Sequence, residues 1–179
     1  MKFEPFSEKQ LATLCWWAPN SPYSSYDAII CDGAVRSGKS LCMFVSFVFW
    51  ATSSFHKSSF AICGRTASSV RRNLLTPYLP VLKQLGLNCD FKLSQGKLTV
   101  KTNGRENTFF IFGGKDEASA SLIQGMTLSG VMFDEVALMP RSFVEQALAR
   151  CSVKGSKFWF NCNPSNPTHW FYTEWIKNT

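Results

Sequence analysis

The feature that most constrains this chain is the octapeptide Gly33-Ala34-Val35-Arg36-Ser37-Gly38-Lys39-Ser40. It satisfies the phosphate-loop pattern GxxxxGK[ST] in full. It follows a short apolar run, Ala28 to Cys31, and precedes a long one, Leu41 to Ala51, broken only by Ser46. The pattern needs that order of strand, glycine turn and helix. Gly33 and Gly38 allow tight turns that gather backbone N–H groups around phosphate oxygens. Gly33, Ala34, Val35, Arg36, Ser37 and Gly38 are therefore candidate cradle residues, with Ser37 there for backbone geometry. A helix starting near Lys39 adds its free N–H groups and positive dipole end. Lys39 is of a length to reach β and γ phosphates, and the Ser40 hydroxyl is a magnesium ligand. The cofactors implied are ATP and Mg²⁺.

Arg36 lies inside the loop. Its guanidinium can stabilise transition-state charge in cis, or face solvent or nucleic acid. A second chemical element is Val131-Met132-Phe133-Asp134-Glu135, an apolar strand ending in two carboxylates. In a parallel sheet such an end lies beside the phosphate loop. Asp134 is then the expected magnesium residue, and Glu135 the base that polarises attacking water. A third apolar run, Phe158 to Phe160, ends in Asn161-Cys162-Asn163-Pro164 and is expected next to the acidic strand. Asn161 or Asn163 can sense a γ phosphate or orient water, or simply bond the local backbone.

Gln10 has two competing readings. Its amide can read an adenine edge, and Ser7 followed by Gln10 is also a capping box for a helix over 7–17. Arg65 follows the expected strand 59–63 and can touch phosphate or couple to DNA. Arg71 and Arg72 extend a basic helix. Lys92, Lys97, Lys101 and Arg105 add charge near a hairpin. A solvated face explains these equally well. His169 beside Trp170 reads as structural.

Strands alternate with helices, and the central strands are short and apolar. The fold class expected is therefore α/β, a mostly parallel sheet flanked by helices. The segment 89–112 is expected to add antiparallel edge strands, with turns at Gln95-Gly96 and Asn103-Gly104. A helix over 66–75 is expected to break at Pro77 and resume over 78–85. The 179 residues fit one domain, with 1–26 as an N-terminal helix and linker.

Composition removes other classes. At 45% hydrophobic and 17% charged residues the chain is too apolar for disorder. The longest apolar run is too short for a bilayer span, and the N-terminus lacks a signal-peptide core. The seven cysteines are scattered without a CxxC pair, which favours small interior residues over a disulfide framework or zinc site. The net charge of +7 permits a polyanionic partner without specifying one.

Taken together, Asp27 to Ser40, Gly64-Arg65-Thr66, Ile123-Gln124-Gly125 through Asp134-Glu135, and Asn161 to Pro164 resemble the ATPase domain of bacteriophage terminase large subunits. That resemblance implies a P-loop ATPase of the additional-strand, catalytic-glutamate type, which drives double-stranded DNA into a procapsid. It implies that Gln10 contacts adenine, that Arg36 is the loop arginine, and that Asn161 to Pro164 form the motif coupling hydrolysis to movement. It implies portal protein and terminase small subunit as partners, a homo-oligomeric ring in the working motor, and the bacterial host cytoplasm, at the procapsid, as the place of action. No membrane partner is implied. The family position before Gly125 is often basic and is Gln124 here, which leaves Arg36 or a neighbouring subunit to supply an arginine finger. Family members also carry an RNase H-like nuclease domain, which is not expected within these 179 residues. Two other functions fit the residues: a helicase-like remodelling ATPase, and a nucleotide-binding interaction domain with negligible turnover in isolation.

Overall fold

The computed structural model describes residues 5–33, 38–163 and 168–177. Among the described residues seven strands form one sheet in the order β1-β7-β6-β2-β5-β4-β3. They are β1 (Ala28–Asp32), β2 (Ser59–Gly64), β3 (Asn88–Lys92), β4 (Lys97–Thr102), β5 (Arg105–Gly113), β6 (Gly130–Phe133) and β7 (Lys157–Cys162). The first five in spatial order run parallel, while β4 and β3 are antiparallel and form the edge. The expected mixed α/β sheet is thus the observed one. β5 is more than an edge strand, because it joins the parallel block beside β2.

Among the described residues the sheet is accompanied by the α-helices α1 (Glu8–Cys15), α2 (Lys39–Ser54), α3 (Ala67–Val70), α4 (Thr76–Gln84) and α5 (Arg141–Ala149). Ser7 and Gln10 make the capping box that starts α1. α2 is apolar on most sides because it is covered on most sides. It packs between the sheet and α1, with α4 beside it. Phe44, Phe47, Val48 and Ala51 of α2 are fully buried. Trp159 of β7 meets Trp16, Phe47 and Trp50 with ring centroids 4.9 to 5.0 Å apart. Much of the aromatic excess is therefore core, where offset and edge-on rings add to area burial. Ser46, the polar interruption in α2, accepts from the indole N–H groups of both Trp17 and Trp159 at 3.2 Å. The opposite sheet face is closed by α5 and by rings of the C-terminal segment.

The helix over 66–84 departs from expectation. It does not break at Pro77. A π-helical stretch, Arg71–Leu75, joins α3 to α4 without interruption, and Thr76 N–H bonds back to the Arg71 carbonyl. Pro77 is an early residue of α4, directly after the π-helical stretch. α3 also sits very close to the sheet. A Cβ on Gly64 would lie 2.5 Å from Val70 Cγ2, and one on Gly113 would lie 2.8 Å from the Thr66 backbone.

Every cysteine is a free thiol. Cys42, Cys63, Cys89 and Cys162 are buried as expected of small interior residues, but Cys15 is exposed. Burial pushes the Cys151 and Cys162 thiols up to about 12, the latter helped by Asp32, so they behave as inert apolar groups. No helix among the described residues is long and apolar enough to cross a membrane.

Candidate active site

The site is built where β1, β7 and β6 end side by side. Asp32 pairs with Cys162, so Gly33 and Asn163 follow as neighbours across the β1–β7 seam. Phe133 pairs with Phe160, so Asp134 and Asn161 follow as neighbours across the β7–β6 seam. α2 begins at the same end, with Gly38 at its N-cap in the left-handed region, φ +77°. A side chain at Gly38 would be strained by that φ, and its Cβ would also lie 3.0 Å from Gln10 Nε2.

Several polar side chains meet there. Asn161 Nδ2 donates to Ser40 Oγ at 3.0 Å and to Asp134 Oδ1 at 2.7 Å. Lys39 Nζ donates to Asn163 Oδ1 at 3.2 Å and also to the Gly33 carbonyl. Asp134 and Asn161 are only 6% and 4% exposed, so these bonds replace water that neither can reach. Burial pushes the Asp134 carboxyl above its ordinary range. The Asn161 and Ser40 hydrogen bonds oppose that rise, and the neighbouring Glu135 charge adds to it.

Glu135 is exposed and adopts the left-handed conformation, φ 57° and ψ 53°. That costs a non-glycine residue about 1 kcal/mol. The conformation follows the end of β6 and turns the chain into a 3₁₀ turn, Val136–Leu138. Nothing in the sequence signals that strain.

Gln10 takes its capping role without leaving the loop. Its Oε1 accepts from the Ser7 N–H at 2.9 Å, which fixes the amide's orientation, and its Nε2 lies against Gly38. The cap therefore holds the glutamine at the loop rather than away from it. Ala34, Val35, Arg36 and Ser37 lie outside the described residues, as does Pro164. Arg65 is exposed one residue beyond β2, at the same end of the sheet as Asp134. Arg71 and Arg72 are also exposed. Arg71 borders a small groove with Phe91 and Leu93 near the β3–β4 turn, at the edge of the sheet remote from β1. Gln124 is exposed. His169 is structural, its Nδ1 accepting from the Phe171 N–H at 3.2 Å.

Sequence reading missed Tyr78. It sits on α4, and its phenol is pushed up by burial and by the Asp134 charge. Its position in an ordinary helical stretch carried no signal of that proximity.

The donor chemistry fits magnesium. A hydroxyl and a carboxylate oxygen are held together by one amide, and magnesium is commonly bound by one or two carboxylates plus substrate phosphates rather than by an all-protein cage. Among the described residues no group of three or more His, Cys, Asp or Glu forms such a cage.

Residues 30–179 match the family described as terminase large subunit, T4likevirus-type, N-terminal. This chain belongs to that family of terminase large subunits. It is similar to the large terminase of a thermophilic bacteriophage at 50% identity and a TM-score of 0.94, over 98% of this chain and 43% of that one. The same thermophilic-phage terminase in complex with ADP matches at 49% identity and a TM-score of 0.93, over 97% and 42% of the two chains. Its complex with ATP-gamma-S matches at 48% identity and 0.91, again over 97% and 42%. The ATPase domain of the Thermus phage P74-26 large terminase shares the fold at 19% identity and a TM-score of 0.66, over 96% of this chain and 69% of that one. No curated protein sequence matches this one. This terminase chain thus spans less than half the length of its thermophilic-phage relative. Its sheet, with β7 inserted between the phosphate-loop strand β1 and the acidic strand β6, is the additional-strand P-loop arrangement.

Proposed function

We propose that residues 1–179 form a single magnesium-dependent ATPase domain that powers movement of double-stranded DNA into a procapsid. The observation that carries this reading is the Asn161 amide joining Ser40 of the phosphate loop to the buried Asp134. It brings a phosphate-binding helix and a carboxylate strand to one centre. The nucleotide complexes of the thermophilic-phage terminase support it by homology.

In this reading the Gly33–Ser40 loop and the α2 N-terminus hold the phosphates, and Gln10 meets the adenine. Ser40 and Asp134 hold magnesium, which when bound neutralises charge on the phosphate oxygens. Lys39 donates to the β and γ phosphates and Arg36 adds charge as the γ phosphate departs. Glu135 takes the proton from the attacking water. Its exposure leaves it open to water and free to accept, whereas Asp134 is desolvated and held by donors. Asn161 and Asn163 couple phosphate occupancy to β7, with Arg65, Arg71 and Arg72 as candidate contacts to DNA. The partners proposed are duplex DNA, the portal and small terminase subunit, and further copies of this chain in a ring, acting at the procapsid in the bacterial cytoplasm.

Substitution Glu135→Gln tests the chemistry. Nucleotide binding is expected to persist while turnover falls about 10²- to 10⁴-fold. Unchanged turnover would sink the assignment of Glu135 as base.

A further inference from the structure

Two amides at the end of β7 engage the groups that a magnesium nucleotide would need. Asn161 sets an N–H₂ group, the positive end of its amide dipole, between the Ser40 hydroxyl and the Asp134 carboxylate. That is the polarity a divalent cation would present. Asn163 sets a carbonyl oxygen, the negative end of its dipole, on the Lys39 ammonium. That is the polarity a phosphate oxygen would present. The two residues flank Cys162 on one strand end, so a single element supplies both imitations.

We propose that Asn161 and Asn163 are place-holders, whose amides compete with the magnesium nucleotide for Ser40, Asp134 and Lys39 and give way when it binds. The proposal rests on the reading of this centre as a nucleotide site. Its physical content is that binding exchanges contacts instead of adding them. Part of the affinity for nucleotide is then converted into displacement of the β7 end. Phe160, the residue before Asn161, carries the rings of Phe171 and Trp175 at 5.3 and 4.9 Å. The C-terminal segment therefore rests on the strand that the exchange would move.

The place-holder role and a γ-phosphate sensor predict opposite results with ADP. A sensor has no γ phosphate to contact, so its loss leaves ADP affinity unchanged. Removal of a competitor tightens ADP. Calorimetric titration of the chain with magnesium and ADP is expected to give about fivefold tighter binding for Asn163→Ala, the equivalent of one ordinary hydrogen bond. Equal or weaker binding by that variant overturns the proposal while leaving the nucleotide site intact. Failure of the unsubstituted chain to bind ADP overturns the underlying reading as well. A thermal-melting cycle supplies an independent measure. Asn163→Ala is expected to lower the melting temperature, and this loss is expected to vanish in a Lys39→Met background. An equal loss in both backgrounds would show that Asn163 stabilises something other than Lys39 and would overturn the proposal.

Discussion

β7 is joined to α2 twice by the same chemistry. Near the strand's middle, the Trp159 indole N–H donates to Ser46 Oγ at 3.2 Å. At its end, the Asn161 amide donates to Ser40 Oγ at 3.0 Å. Trp159 and Asn161 are two residues apart and thus on one face of the strand. Both are buried, and both meet a serine of the same helix. The surroundings separate them. Ser46 sits among Phe47, Trp50 and Trp159, where its hydroxyl accepts from two indoles. Ser40 sits in the first turn of α2, beside Lys39 and a buried carboxylate that is kept above its ordinary pKa. One bond closes a core. The other holds polar groups that a packed interior would rather exclude. Such groups are retained at a cost when chemistry needs them.

Separate substitutions should pull the two bonds apart. Ser40→Ala removes a proposed magnesium oxygen, and turnover is expected to drop about 100-fold. Its folding stability should change by about 1 kcal/mol, because Asp134 loses the Ser40 hydrogen bond but keeps the Asn161 N–H. Steady-state phosphate release and chemical denaturation measure the two effects. Ser46→Ala should do the reverse. Two indole N–H groups lose their acceptor, one of them fully buried, and the fold is expected to lose about 2 kcal/mol. Nucleotide affinity should be unchanged. A Ser46→Ala chain that is fully stable but binds nucleotide poorly would erase the distinction between the two serines.

The two bonds were unequally legible in the sequence. The glycine spacing announced Ser40, and the carboxylate pair after an apolar strand announced Asp134, because both are local patterns with a fixed chemical purpose. Asn161 was visible as an amide ending a strand expected beside the acidic one, but its bonds to Ser40 and Asp134 were not. Its partners depend on β7 inserting between β1 and β6, a pairing that brings distant segments of the chain together. Ser46 looked like a flaw in an apolar helix, and only the arrival of Trp17 and Trp159 explains it. Pro77 misled for a different reason. Proline reads as a helix breaker, but a π-helical stretch before it runs directly into α4. Tyr78 and the left-handed Glu135 had no local pattern at all, since both follow from how neighbouring elements pack and end.

The pH dependence of stability bears most directly on the cost of the site. Burial raises the Asp134 carboxyl above its unfolded value, so the folded state favours the protonated form. The sign follows from proton linkage. The folded chain binds more protons than the unfolded one between the two pKa values, so this group's penalty is absent in acid and grows as pH rises through that window. Asp134→Asn removes the charge and keeps an oxygen for the Asn161 N–H. It is expected to raise the melting temperature by a few degrees near neutral pH while abolishing magnesium-dependent turnover. The gain should shrink steadily as pH is lowered toward the ordinary carboxylate range. Melting curves of both chains across that range measure it. A stability difference that does not vary with pH would mean that the carboxylate is not strained by burial, and that the site end of β7 is packed as comfortably as its middle.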